Sequence, residues 1–324
     1  MRNADLGQQC GGSGEECREQ RPSNPSHGNH GTRKTLVRKY SKLESMEPGQ
    51  VSKTALGVAI RRAAHQLADH PPVLDDPIAV RLIGQGYPRH MERAMHRVAR
   101  DFRAFMAVRS RYTEDKLAAA IAKGVTQYVI LGAGLDTFAY RNTFAALRVF
   151  EVDFPATQKW KRAMLQKAGI SLPENLIFVP LDFEHRTLAA GLDEAGFDAR
   201  KPTFFGWLGV VPYLTLEAFR ATLHAIAQLP SGTAVSFDYA LAPETLTAVG
   251  RTAFDALAGR VAAAGEPFQL FFTPETLEEE LRRAAFHRSE QLGYEQLNER
   301  YFKERADGLR LSAVGLAKMA TAWV

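Results

Sequence analysis

Two glycines and two carboxylates have the residue types and the spacing in this chain that are most capable of chemistry. Gly132 and Gly134 end one apolar run, and Glu151 and Asp153 end a second apolar run about 20 residues later. Glycine has no Cβ, so the backbone at such a turn can approach a ligand closely. A carboxylate at the end of the second strand can accept hydrogen bonds from ribose hydroxyl groups. The pattern predicts a site for a ribose-bearing cofactor, although a tight turn without a ligand would also need the glycines.

The position of each carboxylate decides which one should face the ligand. Because the crevice of an open α/β sheet lies beyond the carboxyl ends of its strands, Asp153 is favoured over Glu151. A third carboxylate, Asp182, follows the next predicted strand, where it could accept a hydrogen bond from an adenine amino group with Phe183 close to the ring. An ordinary loop aspartate is the alternative interpretation of Asp182, and a helix N-cap is the alternative for Asp153.

The residue at position 137 bears on the identity of the cofactor. A dinucleotide-binding fingerprint would have a third glycine there, and this chain has Thr137. That departure argues against NAD and against any diphosphate, and the chain contains no G-x-x-x-x-G-K-[ST] run for a nucleoside triphosphate. S-adenosylmethionine carries a ribose but no phosphate, so it fits the pattern better.

The elements that must hold these residues are alternating strands and helices. Such alternation predicts βαβ units, and therefore an α/β fold with a mostly parallel sheet and right-handed crossovers. The predicted strands are 127–131, 148–152, 176–179, 203–208 and 234–238, with two final strands at 285–292 and 314–323. The predicted helices after the first strand are 155–168, 187–195, 216–229 and 243–264, and a further helix begins after Thr273, which can act as its N-cap.

The N-terminal part of the chain divides into two predicted segments. Residues 1–48 are rich in Gly, Ser, Asn, Gln and charged residues, a composition typical of a disordered tail. Residues 49–124 are predicted to form a helical extension that could cover the ligand edge of the sheet. In its first helix, Ser52 is the predicted N-cap, and the apolar positions are Leu56, Ile60, Ala64 and Leu67. The extension and the following sheet are predicted to form one domain, residues 49–324.

Bulk composition excludes several classes of function. The formal net charge is +5 over 324 residues, and the basic residues are scattered, so nucleic-acid binding is not expected. The two cysteines, Cys10 and Cys17, have no partners at metal-ligand spacing, and so few cysteines fit a reducing compartment. No apolar run approaches the length of a membrane span. We expect a soluble cytoplasmic protein without a metal, a membrane partner or a nucleic-acid partner.

Several motifs together resemble a known family, the leucine carboxyl methyltransferase-like group of S-adenosylmethionine-dependent methyltransferases, which includes polyketide O-methyltransferases. The resemblance covers roughly residues 50–324. Its motifs are Ser52-Lys53-Thr54-Ala55, Asp75-Asp76-Pro77, Arg109-Ser110-Arg111-Tyr112, Leu131-Gly132-Ala133-Gly134-Leu135-Asp136-Thr137, Tyr140-Arg141, Glu151-Val152-Asp153-Phe154-Pro155, Trp207-Leu208-Gly209-Val210, Pro212-Tyr213-Leu214, Arg300-Tyr301-Phe302 and Arg305-Ala306-Asp307-Gly308-Leu309. The resemblance implies a class I methyltransferase (Rossmann-like) fold, a seven-stranded, mostly parallel sheet with one antiparallel strand, helices on both faces and an N-terminal helical cap.

The resemblance also implies roles for individual residues toward S-adenosylmethionine. Asp153 matches the ribose-binding acid of the family, and Asp182 with Phe183 matches its adenine-binding pair. Gly132 and Gly134 match the glycine-rich turn. Arg109 and Lys53 match basic positions that face the carboxylate of the cofactor, and an arginine can hold a carboxylate through two hydrogen bonds. For Arg109 the alternative is a solvated arginine on a helix.

One departure from the family concerns the acceptor of the methyl group. Relatives in the leucine carboxyl branch carry an acidic residue after the fourth strand, where this chain has Leu208. Leu208 cannot make that polar contact, which favours O-methylation of a carboxyl or hydroxyl group on a small molecule. Tyr112 and Tyr213 are candidate contacts for that acceptor.

Catalytic residues are not assigned from the sequence, because methyl transfer mainly requires that the two reactants be aligned. The histidines that could act as a base are interpreted as surface or packed residues; they are His185, His224 and His287. Two other functions stay open at this point. One is a catalytically inactive binding protein with the methyltransferase fold, and the other is a nicotinamide-dependent oxidoreductase, which Thr137 disfavours.

Overall fold

Residues 53–182 and 185–324 are described by the computed structural model. The predicted tail (residues 1–48), the predicted capping residue Ser52 and the predicted adenine contact Phe183 lie outside these ranges. Within them, none of the helices has the length together with the hydropathy that a bilayer-spanning segment requires.

A seven-stranded sheet forms the centre of the fold. Its strands are β1 (Gln127–Leu131), β2 (Arg148–Asp153), β3 (Leu176–Pro180), β4 (Phe204–Trp207), β5 (Ala234–Ala240), β6 (Arg288–Leu292) and β7 (Ala317–Trp323). Their spatial order is β3-β2-β1-β4-β5-β7-β6. The first five strands pair in parallel, and β7 runs antiparallel to both β5 and β6. This arrangement confirms the predicted α/β fold with one antiparallel strand.

The strand positions follow from burial. Every residue of β1 and of β5 is buried, which explains why apolar residues dominate both segments in the sequence. The five parallel strands end within two residues of their predicted bounds. The last two strands begin three residues later than predicted. For β6 the reason is that the preceding segment still closes a helix, through a bond from the Phe286 amide to the Leu281 carbonyl.

The described residues contain ten α-helices. They are α1 (Lys53–Ala68), α2 (Pro77–Ile83), α3 (Pro88–Met95), α4 (Arg100–Ile121), α5 (Pro155–Lys167), α6 (Leu188–Glu194), α7 (Leu216–Ala227), α8 (Ala248–Ala263), α9 (Pro274–Arg283) and α10 (Tyr294–Tyr301). Threonine side chains cap four of them by accepting a backbone N–H bond; these are Thr187, Thr215, Thr247 and Thr273.

Three details differ from the sequence expectation. The predicted helix 243–264 is divided, because Thr247 caps a new helix after a short 3-10 turn at Pro243–Thr245. Leu67, placed on the buried face of α1 by its spacing, is 48% exposed near the end of that helix. α10 was not predicted, since only Leu297 in it is buried and its other residues are mostly polar.

The N-terminal helices pack beside the turn that carries the two glycines. α1, α2 and α5 share an apolar cluster that includes Ile60, Leu82, Leu165 and Leu135. Leu135 immediately follows Gly134, so the helical extension is in contact with the segment at the ligand edge of the sheet.

Candidate functional site

The turn after β1 accepts only glycine at two positions. Gly132 has a φ of +67° and Gly134 a φ of +47°, both in the left-handed region that side chains with a Cβ rarely adopt. A Cβ on Gly132 would lie 2.4 Å from Cγ2 of Val210, and one on Gly134 would lie 3.2 Å from Cβ of Ala55. The turn is therefore enclosed between the loop after β4 and the first turn of α1.

Asp153 ends β2 directly beside this turn. One carboxylate oxygen accepts the N–H of Gly134 at 2.6 Å, and the other accepts the N–H of Phe154 at 2.7 Å. Burial raises the pKa of Asp153 above its ordinary value, while these two backbone N–H groups act in the opposite direction. The structure thus brings the predicted carboxylate and the predicted glycines together.

Glu151 lies on the same face of the sheet as Asp153 but deeper. It is fully buried and accepts a hydrogen bond from Nζ of Lys161 on α5 at 2.6 Å. Burial raises the pKa of Glu151 to about 7, although Lys161 opposes the shift. Glu151 is therefore engaged with α5, whereas Asp153 is engaged with the glycine turn.

Asp182 lies one strand further along the same edge. β2 and β3 pair in parallel up to Asp153 and Pro180, and the N–H of Leu181 donates to the carbonyl of Asp153 at 2.9 Å. Asp182 is half-buried, and its Oδ2 is 2.9 Å from Nδ1 of His185. The ends of β1, β2 and β3 therefore place the glycine turn, Asp153 and Asp182 side by side.

Arg109 is a buried residue rather than a solvated helix arginine. It lies on α4, is 6% exposed, and its Nη1 donates to Oδ2 of Asp238 at 3.1 Å. Oδ1 of Asp238 accepts the N–H of Gly209 at 2.6 Å, and a Cβ on Gly209 would lie 3.0 Å from both terminal nitrogens of Arg109. Arg109 is thus fixed against the turn after β4.

Asp238 is the functional candidate that sequence reasoning missed. Asp238 ends the predicted strand 234–238 and has no role in the site predicted from the sequence. Its type and position could have indicated it, because ligand-binding groups of parallel sheets collect at the carboxyl ends of the strands.

The first turn of α1 contributes a second set of contacts. Lys53 is exposed at its start. The Thr54 hydroxyl donates to a carboxylate oxygen of Glu266, and Ala55 faces Gly134. Lys53 therefore lies two residues before Ala55, which contacts the glycine turn, and Glu266 joins the site from the segment after α8.

Tyr213 is near this set. It ends a 3-10 turn after β4, its ring centroid is 5.2 Å from that of Phe268, and its carbonyl accepts from Nε2 of Gln269 at 2.7 Å. Burial, together with the negative charge of Glu266, raises the pKa of Tyr213 to about 12, while Arg109 acts in the opposite direction. Tyr213 therefore shares an electrostatic environment with both groups.

Tyr112 does not belong to the site. It is fully buried in a cluster with Val108, Leu297 and Met319, and its hydroxyl accepts from Oγ1 of Thr321 at 2.8 Å. The prediction of Tyr112 as a substrate contact is therefore corrected, because its ring is buried in the core.

The three histidines considered as bases are all exposed; they are His185, His224 and His287. Among the described residues, no group of three or more His, Cys, Asp or Glu side chains has the arrangement of a metal site.

The segment after the glycine turn does not suit a pyrophosphate. In dinucleotide-binding folds the diphosphate lies at the N-terminus of a helix that follows the turn. Here residues 132–147, all of them described, contain a 3-10 turn at Phe138–Tyr140 and no α-helix. The glycines, which leave room for a ligand, and the carboxylate of Asp153, which can accept from a ribose, fit an adenosyl cofactor without a diphosphate.

Comparison with known proteins adds independent information. The profile of the family "Leucine carboxyl methyltransferase" matches residues 55–227. The chain is 33% identical over 293 residues to "Putative S-adenosyl-L-methionine-dependent methyltransferase YktD" of Bacillus subtilis, which covers 82% of this chain and 95% of that protein. A Mycobacterium bovis protein with the same description, apart from the gene name, is 36% identical over 185 residues, or 52% of this chain and 58% of that protein.

A solved structure is similar in fold. The crystal structure of a DUF574 family protein from Streptomyces avermitilis superimposes with a TM-score of 0.50 and 17% identity, covering 81% of this chain and 96% of that one.

Proposed function

This chain belongs to the leucine carboxyl methyltransferase family of S-adenosyl-L-methionine-dependent methyltransferases, and we propose that it methylates an oxygen atom, of a carboxyl or hydroxyl group, on a small molecule. We place this activity in the cytoplasm, on the basis of the low cysteine content.

Each group of residues in the site then binds a different part of the cofactor. The backbone at Gly132 and Gly134 holds the amino-acid end of the cofactor, Asp153 accepts from its ribose, and Asp182 accepts from its adenine. Arg109 binds the carboxylate of the cofactor, for which its fixed position beside Gly209 supplies a preorganised partner. When bound, the cofactor supplies an electrophilic methyl group on a sulfonium. The residues of the chain bind and orient, and alignment of this kind can account for about 7–11 kcal/mol of an activation barrier.

The observation that carries the choice of acceptor is the environment of Leu208. Its side chain packs against the apolar cluster around Tyr112 and Val108, so the position has no charged group for a protein C-terminus. Two half-buried side chains lie in this part of the site instead: Glu266, which bonds to Thr54 at the start of α1, and Tyr213, whose pKa the charge of Glu266 raises. This small, half-buried set supports a small-molecule acceptor.

The two oxygen acceptors differ in what they require from the protein. A carboxylate is already ionised at neutral pH, whereas a hydroxyl group must lose its proton during the transfer. The negative charge of Glu266 contributes to the raised pKa of Tyr213, which places this carboxylate in the electrostatic environment of the tyrosine. Glu266 is a candidate to receive such a proton if the acceptor is a hydroxyl group.

The experiment is a methyl-transfer assay against a metabolite extract, with isotope-labelled S-adenosylmethionine and detection of product masses. The proposal expects a labelled small molecule that forms with the wild-type protein and not with Asp153→Ala. Mild alkali then separates the acceptors, because it hydrolyses a methyl ester and leaves a methyl ether intact. Label found on nitrogen or on protein would contradict the proposal.

Ligand binding separates the other two functions from this one. S-adenosylhomocysteine binding without any turnover would favour an inactive binding protein, and binding of NAD without the adenosyl ligands would favour an oxidoreductase. Isothermal titration calorimetry with the three ligands distinguishes these cases.

A further inference from the structure

A buried polar cluster from the helical extension holds the far side of the glycine turn. Nη2 of Arg62 on α1 donates to the carbonyl of Leu135 at 2.6 Å, and its Nη1 donates to Oδ2 of Asp136 at 3.2 Å. The hydroxyl of Thr137 donates to Oδ2 of Asp76 at 2.7 Å. Arg62 is 3% exposed, and Asp76 and Thr137 are fully buried. The three residues that follow Gly134 are therefore each bound by a side chain from outside the sheet.

Asp76 is itself held in a fixed orientation. Its Oδ1 accepts the N–H of Ala79 at 3.0 Å and caps α2, and its own N–H donates to Oε1 of Gln66 on α1 at 2.9 Å. Nε of Arg141 lies 3.6 Å from Oδ1. Because α2 bonds to this carboxylate and α1 bonds to the backbone of the same residue, Asp76 can act as a rigid acceptor for Thr137.

The turn has little regular structure of its own to replace these contacts. β1 ends at Leu131, and the next element is the 3-10 turn at Phe138–Tyr140. Between them, the N–H of Asp136 bonds to the carbonyl of Ala133 at 2.7 Å, which closes one tight turn. Besides such local bonds, which include one from the N–H of Phe138 to Oδ1 of Asp136 at 2.8 Å, residues 135–137 are held by Arg62 and Asp76.

We infer that Asp76 and Arg62 are positioning residues, which act through Thr137 and Leu135 to hold the glycine turn in the shape that receives the cofactor. This assigns a purpose to the threonine that stands where a dinucleotide-binding fingerprint has glycine. A turn that is already ordered loses less conformational freedom when the ligand binds. The inference rests on the cofactor site proposed at Gly134 and Asp153 and extends it to residues that hold the turn without touching the cofactor.

The test compares three threonine variants by calorimetry with S-adenosylhomocysteine. Thr137→Val keeps the shape of the side chain and removes the hydroxyl, and Thr137→Ser keeps the hydroxyl. Thr203→Val is the matched control, because Thr203 is also fully buried and hydrogen-bonded, to Lys201 and Gln127, but precedes β4 at the opposite end of the sheet. We expect Thr137→Val to raise the Kd by roughly tenfold, Thr137→Ser by less than about threefold, and Thr203→Val by no more than about twofold.

Hydrogen exchange gives a readout that a loss of global stability would not reproduce. In the protein without ligand, the amides of residues 132–137 should exchange faster in Thr137→Val than in wild type, while those of β5 should be unchanged. Wild-type affinity and wild-type exchange in a folded Thr137→Val would overturn the inference, as would an equal loss of affinity in Thr203→Val.

A second variant decides the matter if Thr137→Val does not fold. Arg62→Lys keeps the positive charge and loses the fork that reaches Leu135 and Asp136. It should show the same loss of S-adenosylhomocysteine affinity and the same local exchange, and wild-type behaviour would overturn the inference. These readouts need no methyl acceptor. Failure of the methyl-transfer assay with intact binding would therefore count against the proposed methyl transfer and leave the positioning role standing.

Discussion

The amide of Gly134 donates to the carboxylate of Asp153 over 2.6 Å, which joins the turn after β1 to the end of β2. This hydrogen bond orients the carboxylate, and the same turn leaves room for a ligand to approach. Its oxygens can each accept more than one hydrogen bond, so a bound ribose and the turn can share it. The two halves of the site therefore depend on one another for their geometry.

The first prediction concerns the steric limit at Gly132. Gly132→Ala combines an unfavourable left-handed backbone, worth about 1–2 kcal/mol, with a contact between the new Cβ and Val210. Gly169→Ala is the matched control, because Gly169 has a φ of +64° and no heavy atom within 4 Å of an added Cβ. Chemical denaturation should show a larger loss of unfolding free energy for Gly132→Ala than for the control.

A smaller side chain at position 210 should recover the part of the lost unfolding free energy that comes from the contact with Val210. In Gly132→Ala with Val210→Ala, the difference from Gly169→Ala should shrink, once the cost of Val210→Ala alone is subtracted. An equal loss at positions 132 and 169 in the single variants would show that the approach of Val210 does not constrain the turn.

The second prediction concerns the carboxylate of the cofactor. Arg109→Lys keeps a positive charge but loses the planar fork, so binding of S-adenosylhomocysteine should weaken by roughly tenfold or more. Methylthioadenosine lacks the amino-acid carboxylate and serves as the matched ligand, and its affinity should stay unchanged. Equal weakening of both ligands in calorimetry would place Arg109 elsewhere in the site.

The third prediction concerns stability and pH. Burial raises the pKa of Glu151 from 4.5 to about 7, so the folded protein keeps a proton that the unfolded chain has released. The corresponding contribution to the unfolding free energy is complete below pH 4.5 and is lost as the pH rises through about 7. Denaturation measured across that interval should show a decline that is absent in Glu151→Gln. A decline of the same size in the variant would exclude Glu151 as its source.

The fourth prediction concerns cofactor affinity and pH. Burial raises the pKa of Asp153, and protonation turns one of its acceptor oxygens into an O–H donor and removes the charge that strengthens bonds to ribose hydroxyls. Binding of S-adenosylhomocysteine should therefore weaken as the pH falls from 7 toward about 4, the ordinary range of carboxyl groups. Calorimetry should show this dependence in wild type and a smaller one in Asp153→Asn. The same pH profile in both proteins would assign the titration to another group.

Local patterns in the sequence were sufficient for the sheet and for one edge of the site. The apolar runs of β1 and β2, each ended by glycines or carboxylates, indicate both the strands and the ligand edge, because buried parallel strands leave a strong local signal. α10 leaves none, since a short polar helix with one buried residue resembles a loop.

Long-range partners could not be read from the sequence. Arg109 and Asp238 are 129 residues apart, and Asp76 and Thr137 are 61 residues apart, so their pairing depends on the finished topology. For the same reason Tyr112, which follows Arg109 closely on α4, was assigned to the site although its ring points into the core beside Thr321. Residues that are close together on one helix can point toward different parts of the structure, and only the packed structure shows where each side chain lies.

The most direct test of the account is the affinity of Asp153→Ala for S-adenosylhomocysteine, measured by calorimetry beside wild type. Asp198→Ala is the control, because Asp198 is an acid bonded to Arg200 near the start of β1, at the other end of the sheet. We predict that Asp153→Ala loses at least about 1–3 kcal/mol of binding free energy, since ribose hydroxyls are left without an acceptor, and that the control binds like wild type. A folded Asp153→Ala variant with unchanged affinity would contradict the assignment of the cofactor to the edge formed by Gly134 and Asp153.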